Sequence, residues 1–348
     1  MVKAMIGSIS HQITRFPLVA LVGPTAAGKT DLSLRLAKEI CAEIISVDSV
    51  QVFRGLDIGT AKPGPEEQQQ VPHHMIDVAD PDEPFDVADF VHKALGIIRS
   101  MTSRGKVPLL VGGSGLYLRS LLEGLAPCPG HDPVVREMLR KILSNHGKRA
   151  LHDMLARADP EAASRLHPND TFRVIRALEV YHQTGEPISK WHRRHKSMSG
   201  QRLPCIKIGL VRPREELYER IDSRVDYMLD AGLLEEVELL LNKGYSHRLK
   251  PLQSLGYRHM IRFLRGESSL DEAVSQLRRD TRHYAKRQLT WFRADPEIRW
   301  YHPEALTDVY SIWHKIRSDS AEKTQSAAVA SIFQPMRHTI STPHARKI

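Results

Sequence analysis

The amino-acid sequence predicts an α/β fold, a parallel sheet flanked by helices and interrupted by a helical insertion. Two observations carry that prediction. Short apolar runs of strand length recur at 18–22, 43–47, 106–111 and 206–211, separated by segments with helical spacing. The first three runs each end in a motif rich in glycine or small polar residues, at 23–30, 48–51 and 112–117. Ligands of open parallel sheets bind beyond the carboxyl ends of the strands, so three such ends imply one shared crevice.

Residues 1–16 have mixed polarity and no period, and are expected to form a flexible leader. The run 18–22 then feeds Gly23, Pro24, Thr25, Ala26, Ala27, Gly28, Lys29 and Thr30, an intact phosphate-binding loop. Gly23 and Gly28 lack Cβ atoms, so successive backbone N–H groups can face phosphate oxygens. Lys29 adds a positive charge and Thr30 a hydroxyl suited to Mg²⁺. Leu32, Leu36 and Ile40, spaced by four, predict a helix over 31–40 whose positive end faces the anion. The arrangement is P-loop NTPase-like. The loop alone leaves the phosphate compound open, because kinases, NTPases and other transferases share it.

The run 43–47 delivers Asp48, Ser49, Val50 and Gln51, and the run 106–111 delivers Gly112, Gly113, Ser114 and Gly115. Pro127, Pro129, Gly130 and Pro133 break the pattern after Leu125, and helical segments follow to about residue 202. Because 206–211 resumes the sheet signature, 126–202 reads as a helical insertion in a core made of 17–125 and 203–305. The stretch 214–241 reads as helix. On a further helix, Arg278, Arg282, Lys286 and Arg293 share one sector, while Leu277, Tyr284, Gln288 and Trp291 lie opposite and are expected to pack. The polar tail 306–348 is expected to be disordered.

Composition sets outer bounds. The chain of 348 residues carries a formal net charge of +9, which favours a polyanionic partner and equally suits a mildly basic enzyme. Between Lys190 and Arg202 the basic residues Lys190, Arg193, Arg194, Lys196 and Arg202 meet no acidic one; a solvated surface is the alternative to an RNA contact. Cys41, Cys128 and Cys205 are widely separated and form no C-x-x-C pair, which fits a reducing cytoplasm. No run approaches the roughly 20 apolar residues of a membrane span, so no membrane partner is expected. His73 and His74, adjacent on an extended segment, would point to opposite faces and are read as structural.

Several ordered motifs together resemble the tRNA dimethylallyltransferase family. They are 23–30 (GPTAAGKT), 48–55 (DSVQVFRG), 58–63 (IGTAKP), 72–74 (PHH), 112–117 (GGSGLY), 167–170 (HPND), 176–181 (RALEVY), 254–258 (SLGYR) and 281–293 (TRHYAKRQLTWFR). The resemblance implies transfer of a dimethylallyl group from its diphosphate to N6 of the adenine 3′-adjacent to the anticodon, position 37. The tRNAs would be those reading codons that begin with U. The phosphate-binding loop would then hold the leaving diphosphate, with Mg²⁺ as cofactor and no ATP consumed, in a cytoplasmic protein expected to act as a monomer.

An adenine amine is a poor nucleophile, so an acceptor for its proton is needed, and Asp48 at a strand end is the candidate base. Its alternatives are a helix cap or an outer contact to Mg²⁺. The resemblance also implies that Ser114 touches the reacting nucleotide, where threonine is commoner, and that Arg224 contacts the diphosphate. Arg224 could instead pair on its helix with Asp222, Asp226 or Asp230. RNA contacts are implied for Asp48, Ser49, Val50, Gln51, Ser114 and Arg136. They extend to Phe172, Arg173, Val174, Ile175 and Arg176, with Phe172 standing where glutamine is frequent, and to Gln253, Ser254, Leu255, Gly256, Tyr257 and Arg258. Three other readings remain open at this point: an isopentenyltransferase of free adenine nucleotides, a small-molecule kinase, and a non-enzymatic nucleic-acid-binding ATPase module.

Overall fold

A computed structural model of the protein describes residues 18–197 and 202–306. The expected leader, and the expected tail apart from Leu306, lie outside the described residues. Six parallel strands form one sheet in the order β3-β2-β4-β1-β5-β6. They are β1 (Leu18–Val22), β2 (Ala42–Val47), β3 (His73–His74), β4 (Val107–Gly112), β5 (Cys205–Leu210) and β6 (Arg299–Tyr301). The two edge strands are too short for alternation to show in the sequence, which is why only the four inner runs were legible.

Strand β1 is apolar throughout because both faces of the sheet are covered. Leu18, Ala20 and Val22 join the larger core, whereas Val19 and Leu21 join a second core on the opposite face. Helix α1 (Lys29–Glu39) covers that second face by burying Leu32, Ser33, Leu36 and Ala37, one stripe at helical spacing. Helices α2 (Pro65–Gln70), α3 (Val87–Ser103) and α4 (Gly115–Glu123) complete the first half of the chain.

Between β4 and β5 come α5 (Pro133–Ala158), α6 (Pro160–Arg165), α7 (Thr171–Thr184) and α8 (Ile188–Ser197). They pack on a small core of their own, built from Leu139, Leu151, Leu155, Val174, Ala177 and Leu178. The chain then returns to the sheet at β5.

The expected single helix over 214–241 is two, α9 (Arg214–Asp230) and α10 (Leu233–Asn242). Gly232 separates them at φ 96°, a left-handed conformation that glycine adopts without a Cβ clash. Helices α11 (Tyr257–Leu264) and α12 (Leu270–Arg293) follow. The basic stripe of α12 does not face solvent as a whole. Arg278 pairs with Asp226 and Arg282 with Asp222, both on α9, so half of the stripe holds two helices together. Among the described residues no helix is long and apolar enough to cross a membrane.

Candidate active site

The carboxyl ends of β1, β2 and β4 open into one cavity of about 750 Å³. Its floor is the phosphate-binding loop. Gly23, at φ 150°, passes so close to β5 that a Cβ would lie 2.7 Å from the Leu210 carbonyl oxygen, and Gly28 caps α1 in the left-handed region. The outward carbonyls of the loop are held by arginines: Arg212 Nε donates to the Ala27 oxygen at 3.1 Å and Arg220 Nε to the Ala26 oxygen at 3.0 Å. With those fixed, the loop is shaped before any anion arrives.

Lys29 Nζ donates to the carbonyls of Gly23 (3.0 Å) and Pro24 (2.7 Å). Burial, reinforced by the neighbouring Arg224 and opposed by Asp48, brings its pKa down to about 7. Arg224 is also pushed down by burial and makes no ion pair among the described residues. The helical alternative fails for a physical reason: Asp222 and Asp226 are one turn apart on a different face of α9 and are taken by α12. Two crowded cations with one facing carboxylate make a site whose charge suits an anion. The Thr30 hydroxyl lines the same cavity and takes no hydrogen bond among the described residues.

Across the cavity, Asp48 Oδ1 accepts from the N–H groups of Val50 (2.8 Å) and Gln51 (3.2 Å). This turn fixes the carboxylate and leaves Oδ2 without a protein hydrogen bond among the described residues. Ser114 Oγ accepts from the Ser49 N–H at 3.1 Å, which joins the ends of β2 and β4. The close approach is possible because Gly112 carries no Cβ, which would overlap the Val47 carbonyl.

Residues that sequence reasoning missed complete the site. The Gln288 side chain, buried on α12, accepts from the Thr25 N–H (2.9 Å) and donates to the Gly113 oxygen (3.1 Å). It therefore ties the phosphate-binding loop to the segment that carries Ser114. Tyr284, one turn earlier, lines the same cavity, and burial with the nearby Asp48 charge raises its phenol well above the ordinary range. A glutamine within the otherwise apolar sector of α12 was the available signal.

The remaining expected contacts divide. Ser49, Val50, Leu255, Ser254, Gln253 and Arg258 line the cavity. Gln51 also lines it, but its amide is committed: Oε1 accepts from Ser46 Oγ and Nε2 donates to the carbonyls of Thr60 and Ala61. Tyr257 is a correction. It is fully buried and donates to Glu236 Oε1 at 2.6 Å, while Glu236 in turn receives the N–H groups of Asp57, Ile58 and Gly59. Its role is to pin the 57–59 loop, whereas Gly256 beside it, also buried, lines the cavity.

In the insertion, Val174 is a core residue rather than an RNA contact. Arg136 and Arg176 both converge on the buried Glu179, and Arg176 also donates to the Pro129 oxygen at 2.6 Å. These two arginines therefore build the insertion. Phe172 is 75% exposed, Arg173 is exposed on an ion pair with Asp170, and Ile175 is half-buried. The basic run is paired with acids outside it: Lys190 and Arg194 with the nearby Glu186, and, through acids distant in sequence, Arg193 with Glu161 and Arg202 with Glu123 and Glu297. His74 Nε2 lies 2.8 Å from Glu43, and His73 Nδ1 lies 2.8 Å from the Val71 oxygen.

A model of the IPP transferase family matches residues 51–295. The chain belongs to the IPP transferase family. It is 52% identical over 297 residues to the tRNA dimethylallyltransferase of Syntrophobacter fumaroxidans, covering 85% of this chain and 86% of that one. It is 48% identical to that of Geobacter sulfurreducens, covering 84% and 94%. Among solved structures, the full-length tRNA isopentenylpyrophosphate transferase of Bacillus halodurans matches with a TM-score of 0.64 at 40% identity, over 88% of this chain and 99% of that one. A eukaryotic dimethylallyltransferase captured acting on tRNA matches with a TM-score of 0.69 at 26% identity, over 93% and 81%. In this IPP transferase the phosphate-binding loop, the half-engaged Asp48 and the Thr30 hydroxyl thus meet at one cavity.

Proposed function

We propose that this IPP transferase moves a dimethylallyl group from dimethylallyl diphosphate to the N6 amine of adenine 37, next to the anticodon, in tRNAs that read codons beginning with U. The observation that carries the reading is the pairing of an anion cradle with a carboxylate whose Oδ2 is unengaged, in one cavity of about 750 Å³. A phosphoryl carrier alone would need the cradle. A nucleophile that must lose a proton needs the carboxylate as well.

In this reading the bond from N6 to the allylic C1 forms as the bond from C1 to the diphosphate oxygen breaks. The N6 proton passes to Asp48 Oδ2, held in place by the Val50 and Gln51 N–H groups that grip Oδ1. Ser114 and Tyr284 orient the base. Negative charge growing on the leaving oxygen meets the loop N–H groups, Lys29 and Arg224, and removal of one such donor typically costs about 10²- to 10³-fold in rate. Mg²⁺ accompanying the diphosphate fits the unengaged Thr30 hydroxyl and would supply further charge neutralisation there.

The target adenine leaves the anticodon stack to reach Asp48, which costs a few kcal/mol and is offset by contacts in the pocket. Phe172 and Arg173, which are exposed, and Gln253, Ser254, Leu255 and Arg258, which line the cavity, are assigned to RNA, with the half-buried Ile175 beside the first two. The protein works as a monomer in the cytoplasm, where its substrate is. Diphosphate release tests the chemistry. It should require dimethylallyl diphosphate and tRNA together and be indifferent to ATP; release that needs ATP instead would reinstate a kinase or ATPase reading.

A further inference from the structure

A second cavity of about 750 Å³ adjoins the first, lined by Gly115, Arg119, Lys286, Arg287 and Trp291 among others. Arg287 borders both cavities, and Gly115 directly follows Ser114. We propose that this cleft is a stacking subsite for the nucleotide next to the reacting adenine. The proposal rests on the tRNA reading above and adds a contact that reading does not contain.

Trp291 is the first observation. On the sector of α12 that buries Leu277, Gln288 and its neighbour Phe292, it remains 41% exposed. The ring is nonetheless fixed: its edge lies where a Cβ of Gly115 would be, and the Arg119 guanidinium sits 4.7 Å from its centroid. An indole held in place with an arginine plane beside it is a platform on which a flat base can stack.

Charge is the second observation. Arg119, Lys286 and Arg287 are exposed and have no acidic partner among the described residues. The three acids of the same cleft, Glu123, Asp295 and Glu297, pair with Arg202 and Lys207, so Arg119, Lys286 and Arg287 leave the cleft with an excess of positive charge. The other large basic clusters of the protein, on α8 and on the α9 face of α12, are tied up in ion pairs. Three cations without an acidic partner among the described residues thus lie around the exposed aromatic ring, which is the chemistry of a nucleotide: a base for the ring and a phosphate for the cations. Because Ser114 and Gly115 are consecutive, a strand that seats one base at Ser114 brings its neighbour to this cleft.

The test is the affinity of a labelled anticodon stem-loop, intact or with an abasic site on either side of the target adenine, for wild type, Trp291→Ala and Trp291→Phe. Trp291→Ala should weaken intact RNA about tenfold, with Phe retaining most of the affinity and KM for dimethylallyl diphosphate unchanged. One of the two abasic sites should weaken wild type by a similar factor and Trp291→Ala no further. Equal losses for intact and abasic RNA, or indifference of wild type to both abasic sites, would overturn the subsite. The wild-type arm needs no variant, and Arg119→Met provides a second cycle if the alanine variant misfolds. Coupling without prenylation would sink the functional reading alone; prenylation without coupling would sink the subsite alone.

Discussion

Asp48 uses one carboxylate oxygen to hold its own turn and leaves the other without a hydrogen bond among the described residues, the arrangement proposed for a base. Asp48→Ala should therefore lose at least about 10²-fold in kcat with tRNA affinity retained, and near-normal turnover would remove it from the role of base. Arg224 stands near Lys29 without an ion pair, so Arg224→Ala should raise KM for dimethylallyl diphosphate roughly thirtyfold, about 2 kcal/mol, and leave KM for tRNA nearly unchanged. Lys29 gives a pH signature. With its pKa lowered from 10.5 to about 7 in the free protein, diphosphate binding must draw a proton onto it above that pH. Affinity should be steady below about pH 7 and weaken by up to about tenfold per unit above it, and Lys29→Arg, which stays charged, should flatten the profile. For folding, the unfolded chain holds the extra proton between pH 7 and 10.5, so this group's contribution to stability rises with pH across that window. The positions of the loop, Asp48 and Ser114 at strand ends were legible because each lies in a local motif directly after an apolar run. The structural role of Arg136 and Arg176 was not legible because charge alone does not reveal a buried partner, although Glu179, three residues after Arg176, was the visible clue.

Helix α12 joins the site at the level of elements. Its Gln288 bridges Thr25 and Gly113, so α12 spans the end of β1 and the end of β4. Gln288→Met keeps the volume and removes both hydrogen bonds, leaving a buried N–H and a buried carbonyl unpaired. Stability should fall by about 2 kcal/mol in denaturant titration and kcat should drop, because the diphosphate and acceptor halves lose their common reference. Unchanged stability and rate would mean that the loop is positioned by Arg212 and Arg220 alone. The periodicity of α12 was readable, but what its basic stripe meets was not, because the acids that meet it, Asp222 and Asp226, lie on another helix. The division of α9 from α10 was missed for the opposite reason: one glycine at φ 96° is decisive in three dimensions and faint in a helical pattern.

For the molecule as a whole, the parallel sheet with a helical excursion between β4 and β5 followed from four apolar runs and the motifs at their ends. The distribution of usable charge did not, since a net charge of +9 says nothing about which cations are already paired. Neutralising Lys190, Arg193 and Arg194 should accordingly lower the salt dependence of tRNA binding only slightly, because each is held by Glu186 or Glu161. Neutralising Arg119 and Lys286 should lower the slope by about one unit each. The central claim is that the cavity joins an allylic diphosphate to an adenine of tRNA. The most direct measurement is mass analysis of tRNA nucleosides after incubation of the protein with dimethylallyl diphosphate, Mg²⁺ and unmodified tRNA bearing adenine at position 37. The account predicts one added dimethylallyl unit on that adenine, absent without the diphosphate and abolished by Asp48→Ala. An unmodified adenine 37, with prenylation of free AMP or of nothing, would contradict it.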